Sequence, residues 1–279
     1  MANETTTTTV NDLIQSAINE ARLVETQGAD LSDYIMVKNG VGAQDFPIWD
    51  EETMSSVAEA TDLANAAFGT GVNTITPGEY GLMTTVTDLS DLRAAEDVFI
   101  GIGRVAREAY LAAKNQAIYA LCDGFSTAIG TTDTDITLAL IRQGVATVRS
   151  KKGKGRLILP VTPWVLEDII GLYNTTSFSP DNIRNQAMTE GTLPMLEGVH
   201  PVMIDNLASG TGTGAIDEAD TKTAIFSEEA LGMALEYDFK IELERDASLR
   251  ATEVVATASF GVGELKDDWG VELLVDNKD

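Results

Sequence analysis

The apolar residues Val98, Ile102, Val105, Ala109, Ala113, Ala117 and Leu121 recur at steps of four and three, straight through Gly101 and Gly103. That is the period of one helix face, and it predicts a single long helix over 94–129 around which the chain must organise. It also decides a competing reading. Gly101-Ile102-Gly103-Arg104-Val105-Ala106 matches the G-x-G-x-x-G/A dinucleotide pattern, and Asp123 lies near the spacing of a ribose-binding acid. That motif needs a buried strand ending at its first glycine. Only Val98, Phe99 and Ile100 precede it here, after the helix-prone Ala94-Ala95-Glu96-Asp97. The helix is the better account, and a nucleotide-dependent oxidoreductase remains as a competitor that predicts dinucleotide binding.

The residue inventory closes further classes. One histidine, His200, and one cysteine, Cys122, cannot supply the four ligands of a Cys/His zinc site or a disulfide within the chain. His200 sits between apolar residues before Pro201 and reads as a strand or loop residue; no Gly-x-Ser-x-Gly elbow accompanies any serine. The acidic clusters lack the alternating pattern of a calcium loop. Gly210-Thr211-Gly212-Thr213-Gly214 lacks the Lys-Ser/Thr ending of a P-loop and reads as a flexible loop. No catalytic residue, cofactor or metal is therefore assigned. With 19 Lys+Arg against 44 Asp+Glu the net charge is −25, which opposes tight nucleic-acid binding through phosphate contacts. No stretch approaches the ~18 apolar residues of a membrane span. The polar start with its Thr5–Thr9 run has no secretory pattern, so cytoplasmic synthesis is expected. At 279 residues the chain is long enough for one or two domains.

Read along its length, the chain begins with a short amphipathic helix over 10–24, whose stripe of Leu13, Ile14, Ala17, Ile18, Ala21 and Val24 needs a partner. Phe46-Pro47-Ile48-Trp49 reads as a short strand, and Thr74–Tyr80 as a strand and turn leading into an alternating run over 81–89. These strands have too few large apolar residues for a core of their own, so an extended hairpin leaving the globular body is expected, with a neighbour to cover it. A second helix starts at Asp135-Ile136-Thr137 and ends in the basic run Lys151-Lys152-Gly153-Lys154-Gly155-Arg156, a solvated turn or a local anchor for acidic neighbours. A buried strand over 156–160 precedes Thr162-Pro163, which cap and open a further helix. Strands follow over 199–207, 223–226, 239–244, 249–261 and 270–275, with a short turn around 230–234.

This order of elements resembles the major capsid proteins of tailed bacteriophages, with the α+β Hong-Kong-97-type fold that encapsulin shells share. The most specific part lies in the second half: the strand at 156–160, Thr162-Pro163-Trp164, the run from Leu196-Glu197-Gly198-Val199-His200-Pro201-Val202 to Leu207, Ala224-Ile225-Phe226-Ser227, and Ser248-Leu249-Arg250-Ala251 through Val262-Gly263-Glu264-Leu265. The order carries the likeness, which spans about 34–275.

The resemblance implies an N-terminal arm (1–33), an extended loop (34–92), a peripheral domain with a spine helix (93–155), an axial domain (156–237), and closing strands of the peripheral domain (238–279). It implies a coat protein, not an enzyme, that assembles into hexamers and pentamers of an icosahedral head around double-stranded DNA. Made in the bacterial cytoplasm, it would end in the virion. The implied partners are further copies, a portal, a separate scaffold, a decoration protein and DNA held by weak non-specific contact, with no membrane. The alternative is an encapsulin-type compartment around a cargo enzyme. Leu13, Ile14, Ile18, Phe46, Pro47, Trp49 and Tyr80 are the expected contacts between subunits. Lys38, at the root of the loop and not its tip, is poorly placed for the family's isopeptide cross-link.

Overall fold

The structure is a computed structural model that describes residues 30–49, 52, 54, 56–59, 62, 69–93, 98–175, 196–205, 207 and 220–277. The expected amphipathic helix over 10–24 lies outside these residues, as do most of the loops over 177–197 and 209–221.

The elements in order are a 3₁₀ turn Leu31–Tyr34, β1 (Met36–Asn39), β2 (Gln44–Trp49), β3 (Thr70–Ile75), β4 (Gly78–Thr87), α1 (Asp88–Arg93) and α2 (Val98–Ala120). There follow a 3₁₀ turn Leu121–Gly124, β5 (Ala128–Gly130), α3 (Leu138–Ser150), β6 (Leu157–Val161), α4 (Pro163–Thr175), β7 (Val199–Met203), β8 (Asp220–Ser227), β9 (Leu231–Asp246), β10 (Ala251–Glu264), a 3₁₀ turn Asp267–Trp269 and β11 (Gly270–Asp276).

The long helix α2 passes through Gly101 and Gly103 as expected, so no strand ends at the glycine motif. Its C-terminus is a correction. The helix stops at Ala120, the chain tightens into the 3₁₀ turn, and residues 128–130 become a strand. Phe125 turns inward to stack on Phe226, and β5 then runs parallel to β11, Ala128 opposite Glu272. The buried face is also displaced by one position from the predicted stripe: Phe99, Gly103, Ala106, Tyr110, Lys114 and Ile118 point inward, whereas Val105 is 59% exposed.

Local signals set the other two large helices. The Thr137 side chain accepts from the Leu140 N–H at 3.2 Å at the start of α3, and Thr162 accepts from Val165 N–H at 3.4 Å at the start of α4. The basic run after α3 folds onto its own chain: Arg149 donates to the Gly153 and Gly155 carbonyls, Lys151 pairs with Asp268 and Arg156 with Glu228.

Two sheets carry the body. One has the order β1-β9-β10-β4; the other has the order β5-β11-β8-β6-β7; β2 and β3 form a separate two-stranded ribbon. The expected turn near 230–234 is instead the beginning of β9, where Leu231, Gly232, Met233 and Ala234 form a continuously buried stretch of strand ahead of the half-exposed run. The expected boundaries at 156 and 238 do not follow the sheets. β5, α3 and β11 all belong with the five-stranded sheet, so the closing strand over 270–276 joins that sheet and not the four-stranded one.

A core of Leu31, Tyr119, Phe226, Phe260 and Trp269 joins α2 to both sheets, and a second of Val148, Leu159, Ile169, Ile225 and Leu273 lies between the five-stranded sheet and its helices. Among the described residues no helix is long and apolar enough to cross a membrane.

Candidate intersubunit surface

The ribbon is built by simple alternation. Gln44, Phe46 and Ile48 face one side of β2 and Asp45, Pro47 and Trp49 the other. Phe46 is 2% exposed and packs with Ile75, Ala234 and Leu265. Sequence reading placed it among the contacts with neighbours; the structure spends it on anchoring the ribbon root in its own chain. Pro47 and Trp49 point outward, Trp49 at 65% exposure, and Val72 across the ribbon is 59% exposed.

Polar contacts hold the root further. The Asn73 side-chain amide donates to the carbonyls of Glu264 at 3.2 Å and Leu265 at 2.9 Å. Gly42 N–H donates to Glu236 Oε1 at 3.2 Å, and Gly40 N–H to the Leu235 carbonyl at 3.1 Å. Lys38 donates to the Asp45 carbonyl and lies 5.0 Å from the Phe46 ring centre, so its ammonium is engaged at the root.

The next strand, β4, pairs with β10 in unbroken register from Gly78↔Phe260 to Thr87↔Ala251, and its other edge has no paired strand among the described residues. Tyr80 stacks on Phe260, ring centres 4.3 Å apart, yet stays 44% exposed. Leu82 and Met83 are 40% and 61% exposed on opposite faces. An edge strand of ten residues carrying large apolar side chains and no lysine lacks the usual protection against pairing.

Tyr80 and Leu82 of β4 and Ala109, Tyr110 and Ala113 of α2 line an apolar groove of about 220 Å³, together with Phe239. Small alanines on that helix face let another element approach closely. The Tyr110 hydroxyl donates to Asp238 at 2.9 Å, and burial together with that carboxylate raises its pKa far above the ordinary tyrosine value. Beside it, Lys114 is buried by pairing with Asp30. Burial opposes the charge on Asp30, but the Lys114 ammonium outweighs it and holds the carboxyl below its usual range.

Leu13, Ile14 and Ile18 lie outside the described residues. The structure thus brings Pro47 and Trp49 together on one ribbon face, sets Tyr80 apart at the groove and withdraws Phe46. Sequence reasoning missed Leu82, Met83 and the groove; the apolar members of the alternating run over 81–89 were the available signal. Among the described residues no group of three or more His, Cys, Asp or Glu is arranged to hold a metal ion.

No sequence-family model matches the chain, and no curated protein matches it in sequence. Solved structures do. It is similar to a chain of Mycobacterium phage Che8 at 14% identity, covering 90% of this chain and 93% of that one, TM-score 0.69. It is similar to the mature capsid of bacteriophage PhiM1 at 14% identity, covering 92% and 90%, TM-score 0.63. A third likeness is to the capsid of Ralstonia phage GP4 at 10% identity, covering 92% and 94%, TM-score 0.67. The chain has the mixed α and β fold of phage capsid chains.

Proposed function

We propose that this chain, which has the fold of phage capsid chains, is a major capsid protein: a structural subunit that assembles with copies of itself into an icosahedral head around double-stranded DNA. The observation that carries this reading is the likeness to phage capsid structures over about nine tenths of both chains. The surface supports it independently. Trp49, Val72, Tyr80, Leu82 and Met83 are exposed apolar groups on the ribbon and on an open sheet edge, where a protein working alone would carry charge.

In this reading the segment over 1–33 is an arm, the ribbon is the extended loop, α2 is the spine of a peripheral domain built on the four-stranded sheet, and the five-stranded sheet is the axial domain. Leu13, Ile14, Ile18, Pro47, Trp49 and Tyr80 contact neighbours in hexamers and pentamers. A closed shell repeats modest contacts many times, so no single interface has to be large. The net charge of −25 suits a wall that holds DNA by confinement, because it limits adhesion of the packaged polyanion. A portal, a separate scaffold and a decoration protein complete the proposed assembly, which forms in the host cytoplasm and ends in the virion.

The test is sedimentation of the chain produced with its genomic neighbours, followed by nuclease treatment. Fast-sedimenting particles that protect double-stranded DNA support the reading. Particles that hold a protein cargo and no DNA assign the same fold to an enzyme compartment, and chains that remain at the top of the gradient in every combination contradict it.

A further inference from the structure

The groove between β4 and α2 lies next to the point where the chain enters the described structure. Asp30 is tied to Lys114, and the Leu31 N–H donates to Asn115 Oδ1 at 2.9 Å, both on α2. The Lys114 ammonium is 5.3 Å from the ring centre of Tyr110, which lines the groove. Residues 25–29 separate Asp30 from the predicted amphipathic segment, and five extended residues reach about 17 Å. That exceeds the step from Lys114 across Tyr110 to Ala109 and Ala113, which lie within about one and a half turns of the same helix.

The chemistry of the two surfaces also matches. Read from the sequence as a helix, the segment over 11–24 would place Leu13, Ile14, Ala17, Ile18 and Ala21 on one side, with Asp12, Asn19, Glu20 and Arg22 elsewhere. The groove is apolar, offers small alanines to an approaching helix and bulky Tyr80, Leu82 and Phe239 around them.

We propose that in the unassembled subunit residues 11–24 of the same chain lie in this groove, with the Leu13, Ile14 and Ile18 stripe against Ala109 and Ala113. A five-residue tether gives the segment a high effective concentration at its own groove, so the cis contact forms before any encounter with a second copy. The device shields the groove wall, including Tyr80 and Leu82, in free subunits. Where the assembly reading holds, the same stripe leaves its own groove for a neighbour as the shell forms, an exchange of identical elements. Only that exchange step rests on the assembly reading; the cis contact is a property of the free chain.

The test uses the labelling rate of Ala109→Cys by a thiol reagent on the full-length unassembled chain. Native Cys122 is 0% exposed and stays silent. The expected result is labelling about tenfold or more slower than in the same variant carrying Leu13→Asp and Ile18→Asp, unchanged on dilution, as an intramolecular contact requires. Leu249→Cys, on the turn between β9 and β10, reports whether the fold is intact and should label equally fast in both backgrounds. Equal rates at Ala109→Cys in the two backgrounds would overturn the proposal. So would protection that disappears on dilution, which would place the segment on a second copy. Particle formation is read separately, so failure of this contact leaves the capsid reading standing, and the reverse.

Discussion

The side-chain amide of Asn73 donates to the main-chain carbonyl of Leu265 at 2.9 Å, joining residues 192 positions apart. One partner stands in the ribbon, the other just beyond the end of β10, where the chain crosses toward the five-stranded sheet. Leu265 also donates its N–H to the Ala230 carbonyl at 2.8 Å and packs on Phe46. The ribbon root, the four-stranded sheet and the link to β11 thus meet at one short segment. The direction of the ribbon is set there by hydrogen bonds to main chain, which few substitutions elsewhere can disturb.

Asn73→Ala removes the side-chain bonds to both the Glu264 and the Leu265 carbonyls and leaves two half-covered carbonyls short of a donor. The expected cost is about 1–3 kcal/mol, which for a chain of this size lowers the melting temperature by roughly 2–4 °C per kcal/mol. Scanning calorimetry of the free subunit checks it, and hydrogen exchange should rise first at the ribbon root.

Asp30→Asn should cost about 1.5–3 kcal/mol at pH 7, because Lys114 is left buried without its charged partner. The folded carboxyl titrates below the ordinary aspartate value of about 3.9. Its contribution is therefore fully present above that value and is lost as pH falls through the lower folded one. Denaturant unfolding of the two proteins should show a constant gap near neutrality that closes in acid below about pH 4.

Glu264→Gln acts in the opposite sense. Burial first, and then the neighbouring Asp267 carboxylate, raise the Glu264 pKa, so the folded chain resists its ionisation. Asp267 itself is held ionised by the Ser126 hydroxyl and N–H. The fold is penalised once pH rises above the ordinary glutamate value of about 4.3. The glutamine variant is expected to unfold at a higher temperature than the parent at pH 7–8 and to show no such gain near pH 4. A destabilised variant at pH 7 would show that the carboxylate makes a favourable contact.

Trp49→Ala and the pair Leu13→Asp, Ile18→Asp should leave the subunit folded and impair assembly. Trp49 is 65% exposed, so truncating it removes little from the core. Circular dichroism and melting of the free Trp49→Ala subunit should match the parent; the Leu13→Asp, Ile18→Asp pair should keep the folded body while releasing residues 11–24 from the groove. In both, the yield of sedimenting particles falls. Normal particles from either variant would show that its surface is dispensable.

The legible parts of the fold were those written in local chemistry. Thr137 and the Thr162-Pro163 pair mark helix starts by side-chain capping and a preset φ, and both helices begin there. The alternation at 239–244 is visible as a half-exposed strand, but the apolar run before it hides the true start of β9 at Leu231, because a fully buried stretch has no period to read. The end of α2 depends on β5 pairing with β11 more than a hundred residues later, a tertiary event with no local mark. At the candidate surface, period two separates Phe46 from Pro47 and Trp49 but does not tell which face is covered. Lys114 was not recognisable as buried, since its partner Asp30 is 84 residues away in sequence. The groove was invisible for the same reason, its walls being contributed by strands and a helix distant along the chain.

The central claim is that this chain closes into a shell, and the direct measurement is electron microscopy of the protein produced alone and with its genomic neighbours. The account predicts hollow closed particles tens of nanometres wide, built from on the order of hundreds of copies. Monomers or dimers alone in both preparations, at concentrations where the subunit is folded, would contradict it.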